Sequence, residues 1–252
     1  MLLERNREGF LNGHTPFSAI VAFLSFYTAY LIGAEHIVLS NESSANEGNL
    51  SGASVNHQYS KSFAFEHDFQ QYAHKNLMPD IHYFSLLRPF NELQIAKYFA
   101  ALPQYHAVFR SCNAGSKRNV WCRNCAKCLF VCGILSPFLP PEQLSAIFGE
   151  NLLERDELRE IFDGLAGFSP LKPFECVGTQ EELRFALALA ARQYRARGEA
   201  LPALLQYFTQ HADWEALSSD GSLLNAWNPQ HEIPAAFQPY IKEMHNYAAG
   251  IA

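Results

Sequence analysis

Residues 111–132, SCNAGSKRNVWCRNCAKCLFVC, carry five of the six cysteines in this 252-residue chain. Cys112, Cys122, Cys125 and Cys128 read C-x9-C-x2-C-x2-C. Thiolates are soft ligands, and two-residue gaps let neighbouring sulfurs turn toward one ion. The spacing points to a four-cysteine zinc centre. A second spacing overlaps it: Cys122, Cys125, Cys128 and Cys132 read C-x2-C-x2-C-x3-C, as in iron–sulfur proteins. Gly133 stands where such runs usually carry Pro, and the LFVCGIL stretch after Cys128 has the composition of a packed helix. Zinc is therefore the expectation and an iron–sulfur cluster the alternative. Disulfides fit poorly, because the cysteines lie close together and the N-terminus does not read as a secretion signal. Four thiolates around one ion leave no open position for a substrate, so the centre is expected to be structural.

Three other polar groupings are candidates for the chemistry. NESSANEGN, residues 41–49, directly follows the apolar run HIVLS. In open α/β sheets, ligands bind at the carboxyl ends of strands. Glu42 and Glu47 alternate with amides instead of lysines, which favours a site over a solvated loop. The run His57–Gln58–Tyr59–Ser60–Lys61 puts five hydrogen-bonding side chains at the start of a helical pattern. The free N–H groups of a helix start can receive an anion, and Lys61 adds charge. Cys176 precedes a further helix, whose dipole would lower its pKa and suit it to acid–base work. A small buried hydrophobe is the other reading of Cys176.

The elements that must hold these groups alternate. Thr15 and Pro16 suit a helix start, the apolar run continues to Ile32, and Gly33 ends it. This helix is expected to be buried, since helices apolar on all sides occur in large cores. Residues 36–40 read as a strand, 61–75 as a helix, 81–87 (IHYFSLL) as a second strand, and 91–102 as a helix capped by Asn91. HAVFR, 106–110, reads as a third strand that delivers the chain into the cysteine loop. Residues 1–136 are thus an α/β portion with a mainly parallel sheet. Pro140 and Pro141 mark a boundary, and 137–252 is expected to be a helical region. Within it, Thr179 and Glu182 form a capping box for a helix that stops at Gly198.

A hydrophobic content of 48% is enough for a core, and the net charge of -6 with no long basic run argues against a nucleic-acid partner. Serines, a threonine and tyrosines interrupt the first apolar helix, so it reads as part of a water-soluble α/β domain and not as a membrane span. The chain is expected in the cytoplasm. It contains no G-x-x-x-x-G-K-[ST] loop, no G-x-G-x-x-G after a strand and no G-x-S-x-G elbow.

Five strings, NGHTPFSA (12–19), LSNESSANEGN (39–49), VNHQYSKS (55–62), the cysteine loop and KPFECVGT (172–179), resemble the bacterial UDP-N-acetylmuramoyl-L-alanyl-L-glutamate epimerase family. The order of strand, helix, strand and cysteine loop also resembles the 7-cyano-7-deazaguanine synthase group. These are ATP pyrophosphatases of the adenine-nucleotide alpha-hydrolase fold with a four-cysteine zinc knuckle. The resemblance implies a partial sheet of that fold and an ATP- and Mg2+-dependent inversion of the terminal L-Glu of UDP-MurNAc-L-Ala-L-Glu, releasing AMP and pyrophosphate during peptidoglycan precursor synthesis. Carried over residue by residue, it places Asn12, Gly13 and His14 at a nucleotide phosphate. Asn41, Glu42, Ser43, Asn46 and Glu47 would lie at the acyl-adenylate or Mg2+, with Asn56 and Tyr59 also at the nucleotide or substrate. His57, Lys61 and Cys176 are the candidates for proton transfer and charge neutralisation.

The family's pyrophosphate-gripping S-G-G-x-D-S loop is not among these 252 residues. The expectation is that they turn over ATP only when a segment with that loop is supplied. Two other functions fit less well: another zinc-containing synthase of the ATP pyrophosphatase type, or an inactive zinc-stabilised binding module.

Overall fold

A computed structural model describes residues 17–46, 59–170, 173, 175, 177–219 and 221–250. Helix α1 spans Phe17–Ile32 and feeds strand β1, His36–Leu39. The polar loop after β1 contains a 3-10 turn at Ser43–Asn46. A second 3-10 turn, Tyr59–Lys61, leads into α2, Phe63–Asn76. Helix α2 starts one residue beyond Ser62, whose hydroxyl caps the Phe65 N–H at 3.3 Å. Lys61 therefore lies in the turn before the helix and not in its first turn. Strand β2 is His82–Ser85.

Strands β1 and β2 pair in parallel, with His36 opposite His82 and Leu39 opposite Ser85. Helix α2 supplies the crossover that a parallel pair requires. Among the described residues the sheet has these two strands. Ala22, Phe26 and Ala29 of α1 meet Phe69 and Ala73 of α2 and Ile81 and Tyr83 beside them in one buried cluster. The rest of α1 contradicts the expectation of a buried helix. Leu24, Leu31 and Ile32 are 60%, 62% and 71% exposed. With one neighbouring layer, a helix apolar all round can bury only one side.

The third strand expected at 106–110 is also absent. Helix α3, Glu92–Ala100, is followed by α4, Pro103–His106, and then by irregular chain. Pro103 sits in the first turn of α4, where its fixed φ favours helix and its lack of an N–H costs nothing. The Phe109 N–H then bonds back to the Tyr105 carbonyl at 2.9 Å, continuing the turn. Phe109 packs its ring against Phe99 and Trp121, with centroids 4.9 and 5.3 Å apart. The aromatic cluster and the turn thus claim a stretch whose composition suits a strand.

After the cysteine loop come α5 (Ala126–Leu135), α6 (Pro141–Phe148), α7 (Arg159–Ala166), α8 (Gln180–Arg197), α9 (Ala203–His211), α10 (Trp214–Ser219), α11 (Ser222–Asn225) and α12 (Gln238–Ala249). Helix α8 is the centre of the larger core, and α3, α5, α7, α9 and α10 all pack on it. Phe185 to Ala191 are buried without a break, because neighbours cover α8 on several sides. Both expected caps of α8 are present: Thr179 with Glu182 at the start, and Gly198 at φ 71° past the end. Asn91 and Gln94 form the same reciprocal box at the start of α3. No helix among the described residues is long and apolar enough to cross a membrane.

Candidate functional site

Cys112, Cys122, Cys125 and Cys128 bring their sulfurs together, all within 4.8 Å of one another. Three of the separations are 4.0 Å (112 to 125), 3.7 Å (122 to 128) and 3.5 Å (125 to 128). A tetrahedral centre with zinc–sulfur bonds of about 2.3 Å requires sulfurs about 3.8 Å apart, so this donor set fits zinc. The backbone is shaped for it. Arg123, between Cys122 and Cys125, adopts a left-handed φ of 62°. The N–H groups of Gly115 and Cys122 point at the Cys112 sulfur from 3.2 and 3.4 Å. Burial raises the Cys112 thiol pKa, these N–H groups lower it, and the result is about 7. Gly115 is required by space, because a Cβ there would lie 1.8 Å from the Val120 carbonyl oxygen.

Cys132 takes no part in this cluster. Its thiol faces Asn151 Oδ1 at 3.9 Å, and burial pushes its pKa up to about 12. The geometry therefore selects C-x9-C-x2-C-x2-C over the overlapping C-x2-C-x2-C-x3-C.

The polar loop after β1 is held by a side chain the sequence reading did not single out. Arg88 is fully buried and donates to the Glu42 carbonyl at 2.9 Å and to the Lys61 carbonyl at 2.8 Å. It also makes a 2.8 Å ion pair with Glu66, which is itself buried. Glu66 accepts from the Ser85 N–H at 3.1 Å and from the Ser85 hydroxyl. Asn41 donates to that hydroxyl at 3.1 Å. One buried guanidinium thus ties the 41–46 loop, the 59–61 turn and the end of β2 into a single unit. Its sequence signal was an arginine just after a strand, flanked by apolar residues.

A second link joins the two halves of the chain. Glu182 Oε1 accepts from the Ser44 hydroxyl at 2.8 Å and from the Glu92 N–H at 2.9 Å. Its Oε2 accepts from the Thr179 N–H at 2.5 Å. The capping residue of α8 therefore also anchors the 41–46 loop and the start of α3. Glu42, Glu92 and Glu182 repel one another here. Burial raises the Glu92 carboxyl pKa to about 8, aided by the charges of Glu42 and Glu182 and opposed by Lys127. Burial also raises the Glu42 pKa, with the Glu182 charge adding to it and its own backbone N–H, Arg88 and Lys61 opposing.

Beside this carboxylate group lies a pocket of about 270 Å³ between α3 and α5. Glu92, Ser111, Lys127, Phe130 and Val177 are among its walls. The Ser111 hydroxyl oxygen is buried there without a hydrogen-bond partner. Gly178 also lies here, where a Cβ would be 2.6 Å from Glu182 Oε2 and 2.8 Å from Phe130 Cζ. Glu175 accepts from Asn113 of the cysteine loop at 3.1 Å.

The structure therefore brings Asn41, Glu42, Ser43 and the Lys61 turn together, and Ser44 joins them to Glu182 at the start of α8. Tyr59 is 52% exposed, and its hydroxyl donates to Asp68 at 3.4 Å. Asn12, Gly13, His14, Glu47, Asn56, His57 and Cys176, and the side chain of Asn46, lie outside the described residues. Glu92, Glu182, Glu66 and Arg88 are the additions. Glu182 was legible as a cap but not as a partner of Ser44.

Residues 1–86 match the MurL N-terminal domain and residues 108–219 match the MurL C-terminal domain. The chain is 41% identical over 208 residues to a UDP-N-acetyl-alpha-D-muramoyl-L-alanyl-L-glutamate epimerase of Xanthomonas oryzae pv. oryzae, covering 79% of this chain and 46% of the relative. It is 36% identical over 250 residues to the Micromonospora protein of the same name, covering 97% of this chain and 55% of the relative. The chain thus spans about half the length of the curated relatives it matches. No solved structure matches it. The two matched domains and these relatives support placing the chain in the MurL epimerase family.

Proposed function

We propose that this chain takes part in the ATP-dependent epimerisation of the terminal L-Glu of UDP-MurNAc-L-Ala-L-Glu to D-Glu, in the making of peptidoglycan precursors. The observation that carries this reading is the meeting of the 41–46 and 177–179 segments at Glu182, beside Glu92 and the apolar pocket. The parallel β1–α2–β2 unit, with its polar loop at the carboxyl end of β1, supports an adenine-nucleotide alpha-hydrolase type of sheet.

In this reading the α-carboxylate of the substrate attacks the α-phosphorus of ATP, and pyrophosphate leaves. The acyl-adenylate has lost the carboxylate's negative charge, so its Cα–H is more acidic. One protein group removes the Cα proton and a second returns a proton on the opposite face. Water then cleaves the acyl–phosphate bond, giving the D-Glu product and AMP. Mg2+, when bound, would neutralise phosphate oxygens. Asn41, Glu42, Ser43, Asn46 and Glu47 would shape that place, with Asn12, Gly13, His14, Asn56 and Tyr59 at the nucleotide. Lys61 supplies positive charge, and His57 and Cys176 are the proton-transfer candidates. Glu92, protonated at neutral pH, adds a hydrogen-bond donor at the pocket. Zinc on Cys112, Cys122, Cys125 and Cys128 would hold the Ser111 wall of the pocket to α5.

The test is an assay of the purified chain, alone and mixed with the part of the Xanthomonas oryzae relative outside the matched region. ATP and UDP-MurNAc-L-Ala-L-Glu are added, and the chirality of the Glu is followed along with AMP and pyrophosphate. D-Glu formed with AMP and pyrophosphate is the expected result in the mixture. No inversion in either arm discards the epimerase reading, and inversion without AMP discards the adenylate step.

A further inference from the structure

Helix α1 carries no charged side chain, and its first and last turns lack the acidic and basic residues that mark solvated helix ends. Its outer side exposes Phe17, Ile20, Leu24, Leu31 and Ile32, each at least 44%. An apolar groove of about 480 Å³ runs from Val21 and Leu24 on α1 to His36 and Ile37 on β1. Val38 of β1 adds 45% exposure at the strand. Contiguous apolar surface of this extent marks an interaction site on a protein that stays in water. The helix is 16 residues long, about 24 Å by its rise per residue. No helix among the described residues meets the requirement for crossing a membrane.

The sheet points the same way. Parallel sheets occur with both faces covered, and two strands seldom stand as a finished sheet. Here β1 pairs only with β2, and no other strand among the described residues lies along its other edge. An element that satisfies this edge must supply a strand, and one that covers α1 must supply an apolar face. Together those demands describe an α/β segment. The relatives contain enough chain for one: somewhat more than half of the Xanthomonas oryzae protein lies outside its match to this chain.

We propose that the outer face of α1 and the edge of β1 away from β2 form a docking surface for an α/β polypeptide segment of the kind the relatives carry outside the matched region. The segment adds a strand beside β1 and lays apolar side chains on Leu24, Leu31 and Ile32. This docking does not depend on the epimerase reading.

The probe is the unmatched part of the Xanthomonas oryzae relative, co-expressed with the full 252-residue chain. The expected result is an equimolar complex by light scattering. Amide exchange across residues 17–39 should slow by about tenfold or more relative to the chain alone. A Leu24→Glu/Leu31→Glu double variant should weaken the complex by about a hundredfold, because two carboxylates would be buried unpaired. Both positions are exposed, so its circular dichroism should match wild type. Tyr240→Glu, on a different exposed site, should bind as wild type. Three results would each overturn the proposal: no complex, wild-type binding by the double variant, or residues 17–39 already protected in the chain alone, whether by self-association or by its own segments.

Discussion

The Ser44 hydroxyl lies 2.8 Å from Glu182 Oε1, joining residues 138 positions apart. The same carboxylate caps α8 through the Thr179 N–H and holds the start of α3 through the Glu92 N–H. One side chain thus sets the relative position of three chain segments. Glu182→Ala removes the cap and two further bonds, with an expected loss of about 2–4 kcal/mol. Ser44→Ala removes one bond and should cost about 1 kcal/mol. Urea unfolding of both variants measures the difference; equal losses would show that the loop contact contributes all of the effect.

The Arg88–Glu66 pair should respond asymmetrically. Arg88→Met leaves the buried Glu66 carboxylate unpaired and frees the carbonyls of Glu42 and Lys61. The expected loss is about 3–5 kcal/mol. An Arg88→Met/Glu66→Gln double variant should recover part of it, because no net charge stays buried. Denaturation midpoints check this, and a double variant no more stable than the single one would refute it.

Metal analysis should find zinc with the protein, and the protein should be colourless. Cys112→Ser should lose the metal, whereas Cys132→Ser should retain it, because the Cys132 thiol faces Asn151. A structural four-cysteine site is worth about 10–16 kcal/mol of apparent binding energy, so a strong chelator should unfold the region around the pocket. A brown protein with visible absorbance would instead mean an iron–sulfur cluster.

Glu92 makes stability depend on pH. Its carboxyl has a pKa near 8 in the folded chain, against an ordinary value of 4.5. The folded state therefore holds this proton where the unfolded state has released it. Stability falls as pH rises from about 4.5 to about 8, then levels off. Glu92→Gln removes that contribution, so the variant should gain on wild type across this window and differ little below it. Thermal unfolding at several pH values reads this directly; parallel curves for the two proteins would contradict it.

Gly178 should not tolerate a side chain. A Cβ there meets Glu182, Phe130 and Glu92, all within 2.9 Å. Gly178→Ala should cost about 1–3 kcal/mol through forced displacement and reduce any activity that depends on the pocket. Chemical denaturation and the chiral assay report the two effects separately.

Local signals in the sequence carried the helix starts and stops. Asn91, Thr179 with Glu182, and Gly198 were readable because caps act within a few residues. The four-cysteine set was readable for the same reason, since ligand spacing is local. HAVFR misled because its strand-like composition competes with Pro103 and with a ring cluster drawn from Phe99 and Trp121. Helix α1 misled because apolar composition states a need for cover and not the presence of it.

The sequence by itself determined most of the helices, their caps and the cysteine-rich segment that supplies the thiolates, all of which depend on near neighbours. Only the tertiary structure decided that Arg88 binds two polar loops, that Glu182 joins Ser44 to α3, and that Cys132 stands apart from the other four sulfurs. These contacts form between segments up to 138 positions apart. Packing of the intervening helices fixes their partners, and neither residue type nor spacing records that packing.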